Sequence, residues 1–161
     1  GKSLGKKVMP RNGHLEWDVV YEPGKLEAIG LKNGKTIRTA VETTDKAYQI
    51  VLTPDRKTIN ADGNDVSVIN VTVLDSKGRE IPDAMNLIQF TLAGEARILG
   101  VGNGDPSSHE ADNCLDGNWK RSLFNGKCQI ILQSPEKEGE FALTASSEGM
   151  KSATATIIIK K

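Results

Sequence analysis

Apolar and polar positions alternate along almost the whole chain, and turn residues break the alternation at short intervals. A period of two predicts strands, and no run of ten or more residues carries a convincing amphipathic helical pattern. Leu15, Trp17 and Val19 alternate with Glu16 and Asp18, and after Pro23-Gly24 two further runs, 25–31 and 35–41, flank Asn33-Gly34. An Asn-Gly pair between two such runs favours a type I′ hairpin, whose two central residues both need positive φ. Thr43, Thr44 and Asp45 read as a junction. Beyond it come runs at 48–52, 66–74, 88–92, 96–101, 128–132, 141–145 and 153–159. The turn signals between them include Pro54-Asp55, Asp62-Gly63-Asn64, Asp75-Ser76-Lys77-Gly78 and Asn125-Gly126, the last preceded by Leu123-Phe124. The longest irregular stretch begins at residue 102 and ends near Trp119.

The fold class that follows is all-β. Seven runs in the second stretch predict an immunoglobulin-like antiparallel β-sandwich over 45–161. The three or four strands expected in 1–44 cannot close a sandwich alone, so this segment reads as the C-terminal part of a preceding β-sandwich. Such a part leaves an apolar face and a strand edge open, which favours contact between copies and makes a homo-oligomer an expectation.

Composition sharpens this in three ways. A chain of 161 residues has no room for a large multi-layer enzyme. Lys+Arg and Asp+Glu stand at 21 each, which gives no electrostatic reason to expect nucleic acid or an anionic membrane as partner. No apolar run approaches the roughly 20 residues of a membrane-spanning helix, and residues 1–7 lack the apolar stretch of a signal peptide. With Gly at position 1 the chain reads as an excised or processed piece. Aromatics make up only 4%, so the core has to be aliphatic; Trp17, Phe90 and Phe141 fall on apolar faces. Cys128 shares a face with Ile130 and Leu132, whereas Cys114 lies in a polar loop. The residues leave open whether the two cysteines pair in an exported protein.

Candidate chemistry concentrates at Gly102-Asn103-Gly104-Asp105-Pro106-Ser107-Ser108-His109-Glu110-Ala111-Asp112. Asp105, Glu110 and Asp112 are the carboxylates that glycoside hydrolysis would require in pairs, about 5–10 Å apart with one in an apolar pocket. A single loop supplies no such pocket. Ser107, Ser108, His109 and Asp105 are the residue types of a nucleophilic triad, but base and orienting group have to converge from separate segments. His109, Glu110, Asp112 and Cys114 are metal-ligand types without a recognised spacing, and no metal or other cofactor is expected. Asn60-Ala61-Asp62-Gly63 fails as a calcium loop, because Thr58 and Ile69 occupy the terminal ligand positions. The bland reading of 102–112 is a structural corner, in which Gly102 and Gly104 allow positive φ while Asn103 and Asp105 bond local backbone. For carbohydrate contact, Trp119 is the aromatic residue in the long loop, with Tyr21 and Tyr48 as weaker candidates. Asn103, Asp105, His109, Glu110 and Trp119 are thus the candidate contact residues, and none is expected to be catalytic.

Two stretches resemble a known family. Trp17-Asp18-Val19-Val20-Tyr21-Glu22-Pro23-Gly24-Lys25-Leu26-Glu27-Ala28 is similar to the W-x-V-x-Y-x-P-G-x-L-x-A signature of a β-sandwich that follows the catalytic barrel in bacterial β-galactosidases of glycoside hydrolase family 2. Residues 100–110 resemble the glycine-rich loop of the next domain in those enzymes, and Ala61-Asp62-Gly63, Asp75-Ser76-Lys77-Gly78 and Ile81-Pro82 match the turns of bacterial immunoglobulin-like repeats. The opening Gly1-Lys2-Ser3-Leu4-Gly5 resembles the end of a hairpin of the first of these sandwiches. In that family both catalytic glutamates lie on the (β/α)₈ barrel, and no residue here matches their motifs. The resemblance therefore implies a non-catalytic accessory region whose partner is the remainder of the parent enzyme, with its catalytic barrel, in the bacterial periplasm or outside the cell. The alternative is a carbohydrate-binding module that tethers the parent to polysaccharide through Trp119 and the polar loop. A cell-surface adhesion repeat fits the fold but not the Tyr21-to-Gly24 signature.

Overall fold

The computed structural model of the chain describes residues 1–114 and 116–161. None of them is helical, and they fall into two compact units, 1–43 and 44–161.

In the first unit, β1 (Lys25–Lys32) and β2 (Lys35–Glu42) form an antiparallel hairpin in the register Leu26 to Val41 and Gly30 to Ile37. Asn33 and Gly34 have φ of 51° and 74°, the two left-handed residues of the expected type I′ turn. Leu26, Ala28, Ile37 and Val41 share one side of the hairpin, and all are exposed. The expected run at Leu15, Trp17 and Val19 forms no strand, so the unit holds two strands rather than three or four. Trp17 is 41% exposed instead of lying on a covered apolar face, with Lys7 Nζ 5.1 Å from its ring centre. Alternation needs a neighbouring strand to satisfy its backbone groups, and residues 14–22 have none among the described residues.

The second unit is a sandwich of two sheets. Its strands are β3 (Gln49–Pro54), β4 (Thr58–Asn60), β5 (Val66–Leu74), β6 (Leu87–Ala93), β7 (Arg97–Gly102), β8 (Lys120–Ser122), β9 (Lys127–Gln133), β10 (Gly139–Ser146) and β11 (Ala153–Lys160). One sheet runs β3-β5-β9-β7 and the other β4-β11-β10-β6-β8. All pairings are antiparallel except β4 with β11. The seven longer strands are those the alternation predicts; β4 and β8, of three residues each, bring the number to nine. Ile69, Val71 and Val73 of β5 and Cys128, Ile130 and Leu132 of β9 are buried from one sheet. Ile88 and Phe90 of β6, Phe141, Leu143 and Ala145 of β10, and Ile157 and Ile159 of β11 are buried from the other. This core is aliphatic apart from Phe90 and Phe141, and each large side chain in it removes enough apolar surface from water to contribute about 1.5–3 kcal/mol. A bulge between Ile98 and Gly100 lets both Ile98 and Val101 of β7 face inward although they are three residues apart.

Candidate functional site

The segment between β7 and β8 links the two sheets, since β7 is an edge strand of one and β8 an edge strand of the other. Its first half, 103–112, is organised around Arg121 of β8, which is only 4% exposed. Arg121 Nη1 donates to Glu110 O at 3.0 Å and to Asp112 Oδ1 at 2.7 Å, and Nη2 donates to Asn103 Oδ1 at 3.0 Å. Its Nε is buried without a hydrogen bond, 3.7 Å from Glu110 Oε2. A buried guanidinium is tolerable only where acceptors surround it, so the loop folds back to supply them.

Asn103 is half-buried; its Nδ2 donates to Ser122 O at 3.0 Å, and its Oδ1 also accepts from Asp105 N. Asp105 accepts from Ser107 N at 2.8 Å and from Ser107 Oγ at 2.7 Å. These two bonds, with a smaller contribution from the Arg121 charge, lower its pKa. Glu110 accepts from the Ser122 hydroxyl and from Ser122 N, the latter at 2.8 Å, and those bonds lower its pKa as well. A general acid needs the opposite shift. His109 is exposed and has no hydrogen bond or ion pair among the described residues, while Ser107 pairs with Asp105 rather than with the imidazole. The structure thus gathers Asn103, Asp105 and Glu110 around one buried cation and leaves His109 outside that network. Among the described residues no group of three or more His, Cys, Asp and Glu side chains is placed to hold a metal ion.

Trp119 lies apart from this network. It is half-buried and packs against the core, and its carbonyl accepts from Phe90 N at 2.8 Å. It lines a groove of about 710 Å³ between β6, β7 and the second half of the loop, together with Thr91, Arg97, Asn113 and Asn118. Cys114, also on the groove, donates its thiol hydrogen to Asp116 Oδ1 at 2.8 Å. Cys114 and Cys128 are both free, and burial pushes the Cys128 thiol up to about 12. Sequence reasoning missed Arg121, the residue on which the loop is built; the one signal it leaves is a charged residue set between Trp119 and the buried Leu123.

Residues 50–156 match the family described as glycoside hydrolase family 2 C-terminal domain 5, and residues 1–38 match a domain of unknown function (DUF4982). The chain is 42% identical over 159 residues to the β-galactosidase BoGH2A of Bacteroides ovatus, an alignment that covers 98% of this chain and 18% of that protein. It is 31% identical over 163 residues to a β-glucuronidase of Formosa agariphila, covering 97% of this chain and 16% of that one. A crystal structure of a glycosyl hydrolase family 2 member from Bacteroides cellulosilyticus superposes with a TM-score of 0.82 at 34% identity, over 90% of this chain and 18% of that one. The chain therefore spans less than a fifth of the length of these relatives.

Proposed function

Because the chain belongs to the glycoside hydrolase family 2 C-terminal domain 5 family, we propose that it is a non-catalytic accessory region of a β-galactosidase-like enzyme. In this reading the catalytic barrel lies in the remaining length of the parent, which hydrolyses O-glycosidic bonds in carbohydrate metabolism, in the periplasm or outside the cell. The observation that carries the proposal is the shape of the alignment: almost the whole chain lines up with a β-galactosidase of which it covers only 18%. The preference for a galactoside over a glucuronide rests on the higher identity, 42% against 31%.

Two features of the molecule support an accessory role. The side chains of Asn103, Asp105, Glu110 and Asp112 are occupied by bonds to Arg121, Ser107 and Ser122, which suits a corner that holds two sheets together. The apolar side of the β1–β2 hairpin, with Leu26, Ile37 and Val41 exposed, suits the C-terminal part of a sandwich whose other strands belong to the parent. The test compares the parent enzyme with a form lacking this region. The truncated enzyme is expected to keep its preference for chromogenic galactosides over glucuronides while melting at a lower temperature, and the isolated chain to turn over neither. Turnover by the isolated chain would overturn the proposal, and a preference of the parent for glucuronides would overturn its galactoside part.

A further inference from the structure

The two halves of the segment between β7 and β8 differ in how their polar groups are used. In 103–112 the amide and carboxylates singled out above are engaged within the protein, whereas the side chains of Asn113 and Asn118 form no hydrogen bond among the described residues. Nor do those of Thr91 and Arg97 across the groove. All four line the same open groove as the half-buried Trp119, whose volume, about 710 Å³, is in the range of small-ligand sites. An apolar ring flanked by unpaired amides and a hydroxyl matches a pyranose, which offers an apolar C–H face and a rim of hydroxyls. Among the described residues Arg97 is the one charged side chain on the groove, and it has no ion pair. A free guanidinium selects carboxylate, which it can bind through two parallel hydrogen bonds. The indole packs against the core and its backbone is held by the bond from Phe90 N to the Trp119 carbonyl, which reduces the ordering that binding requires.

We infer that this groove is a subsite for a uronate-bearing saccharide, with Trp119 stacking on the ring, Asn113 and Asn118 on its hydroxyls and Arg97 on its carboxylate. The inference rests on the reading that the parent acts on glycosides, but its test does not use the parent's activity. Amide resonances of the 161-residue chain are followed during titration with a glucuronic-acid-containing oligosaccharide and with a neutral galactose oligosaccharide of equal length. Saturable shifts are expected at 90–99, 113–114 and 117–119 with the uronate. Binding should be about tenfold weaker for the neutral sugar, and Arg97→Gln should weaken the uronate by about the same factor. Trp119→Ala should abolish the shifts. Because that indole also packs against the core, Asn118→Ala, an exposed change, serves as the variant that leaves the fold intact, and it should weaken binding as well. An absence of saturable shifts with the uronate, shifts elsewhere in the chain, or equal binding of the two sugars unaffected by Arg97→Gln would overturn the inference. Any of these would leave the accessory reading standing, because that reading is tested by the catalysis and melting of the parent.

Discussion

The turn at Asn33-Gly34, which joins paired strands, and the turn at Asn125-Gly126, which closes the single bridge from Phe124 to Lys127, share their local chemistry and differ in everything around it. Their turns are nearly superposable in backbone angle, with φ of 51° and 74° in the first and 51° and 76° in the second. Yet no residue of 1–43 is buried, whereas Leu123, Cys128, Ile130 and Leu132 around the second turn are all 2% exposed or less. The same turn chemistry therefore serves two strands that pair along their length in the first place and a passage from one sheet to the other in the second, and burial is decided by whether a second sheet lies over the apolar face. A two-stranded ribbon has no second sheet of its own, so its alternation is satisfied in hydrogen bonds and unsatisfied in hydrophobic contact.

The comparison breaks most visibly under side-chain truncation. Phe141→Ala removes a core ring that is 1% exposed and should cost about 3–5 kcal/mol, read as a shift of the denaturant midpoint of the sandwich. Ile37→Ala, at 61% exposure on the hairpin, should change stability by no more than about 0.5 kcal/mol. A large loss at Ile37 would show that its face is covered in solution. The turns give a sharper and smaller contrast. A Cβ at Gly126 would lie 2.0 Å from the Ile81 carbonyl oxygen, so Gly126→Ala combines left-handed strain with a backbone clash and should cost about 3 kcal/mol. At Gly34 a Cβ meets nothing within 4 Å, so Gly34→Ala carries the left-handed strain alone, about 1 kcal/mol. Similar losses at both positions would mean that conformation, not contact, governs the second turn.

Much of this architecture is legible in the alternation. The run 66–74 coincides with β5, both Asn-Gly turns form as their residue types dictate, and Phe90 and Phe141 lie in the core. What escapes is short or irregular. β4 and β8 are three residues long, too short to display a period, and in β4 only Ile59 points inward. The bulge in β7 places Ile98 and Val101 on the same side, which strict alternation forbids. Leu15, Trp17 and Val19 show the opposite failure, a strand pattern with no strand beside it. At the candidate site, Gly104 takes the positive φ and Asn103 and Asp105 accept the local backbone bonds that the glycine and Asx content of 102–112 suggests, whereas Gly102 has no positive φ and the loop is held mainly by bonds to Arg121 and Ser122. Arg121 was invisible because its acceptors lie 9 to 18 residues upstream, a separation that no local pattern encodes. Trp119 was legible as a loop aromatic, while the unpaired amides beside it emerge only when β6, β7 and the loop are brought together.

The most selective expected effect concerns Asp75 in the turn after β5. Its side chain is fully buried, and burial by itself would raise its pKa above the ordinary value of 3.8. The Arg79 side chain and the backbone N–H groups of Arg79, Asp45 and Lys77 outweigh that desolvation and hold the carboxyl well below the usual carboxylate range. A carboxylate with a depressed pKa stabilises the fold fully above its unfolded value and progressively less as pH falls through the folded one. Asp75→Asn puts an NH₂ group where an oxygen accepted from N–H donors, so it should destabilise the sandwich at neutral pH. The gap between parent and variant in urea midpoint should then narrow once pH drops below 3.8. Asp55, Asp62, Asp65, Asp105, Glu110 and Asp116 also have lowered pKa values, but both proteins retain them, so their acid losses cancel in the difference. A gap that stayed constant into acid would mean that Asp75 acts through shape rather than charge. The hairpin unit has no counterpart, since none of its carboxylates is buried.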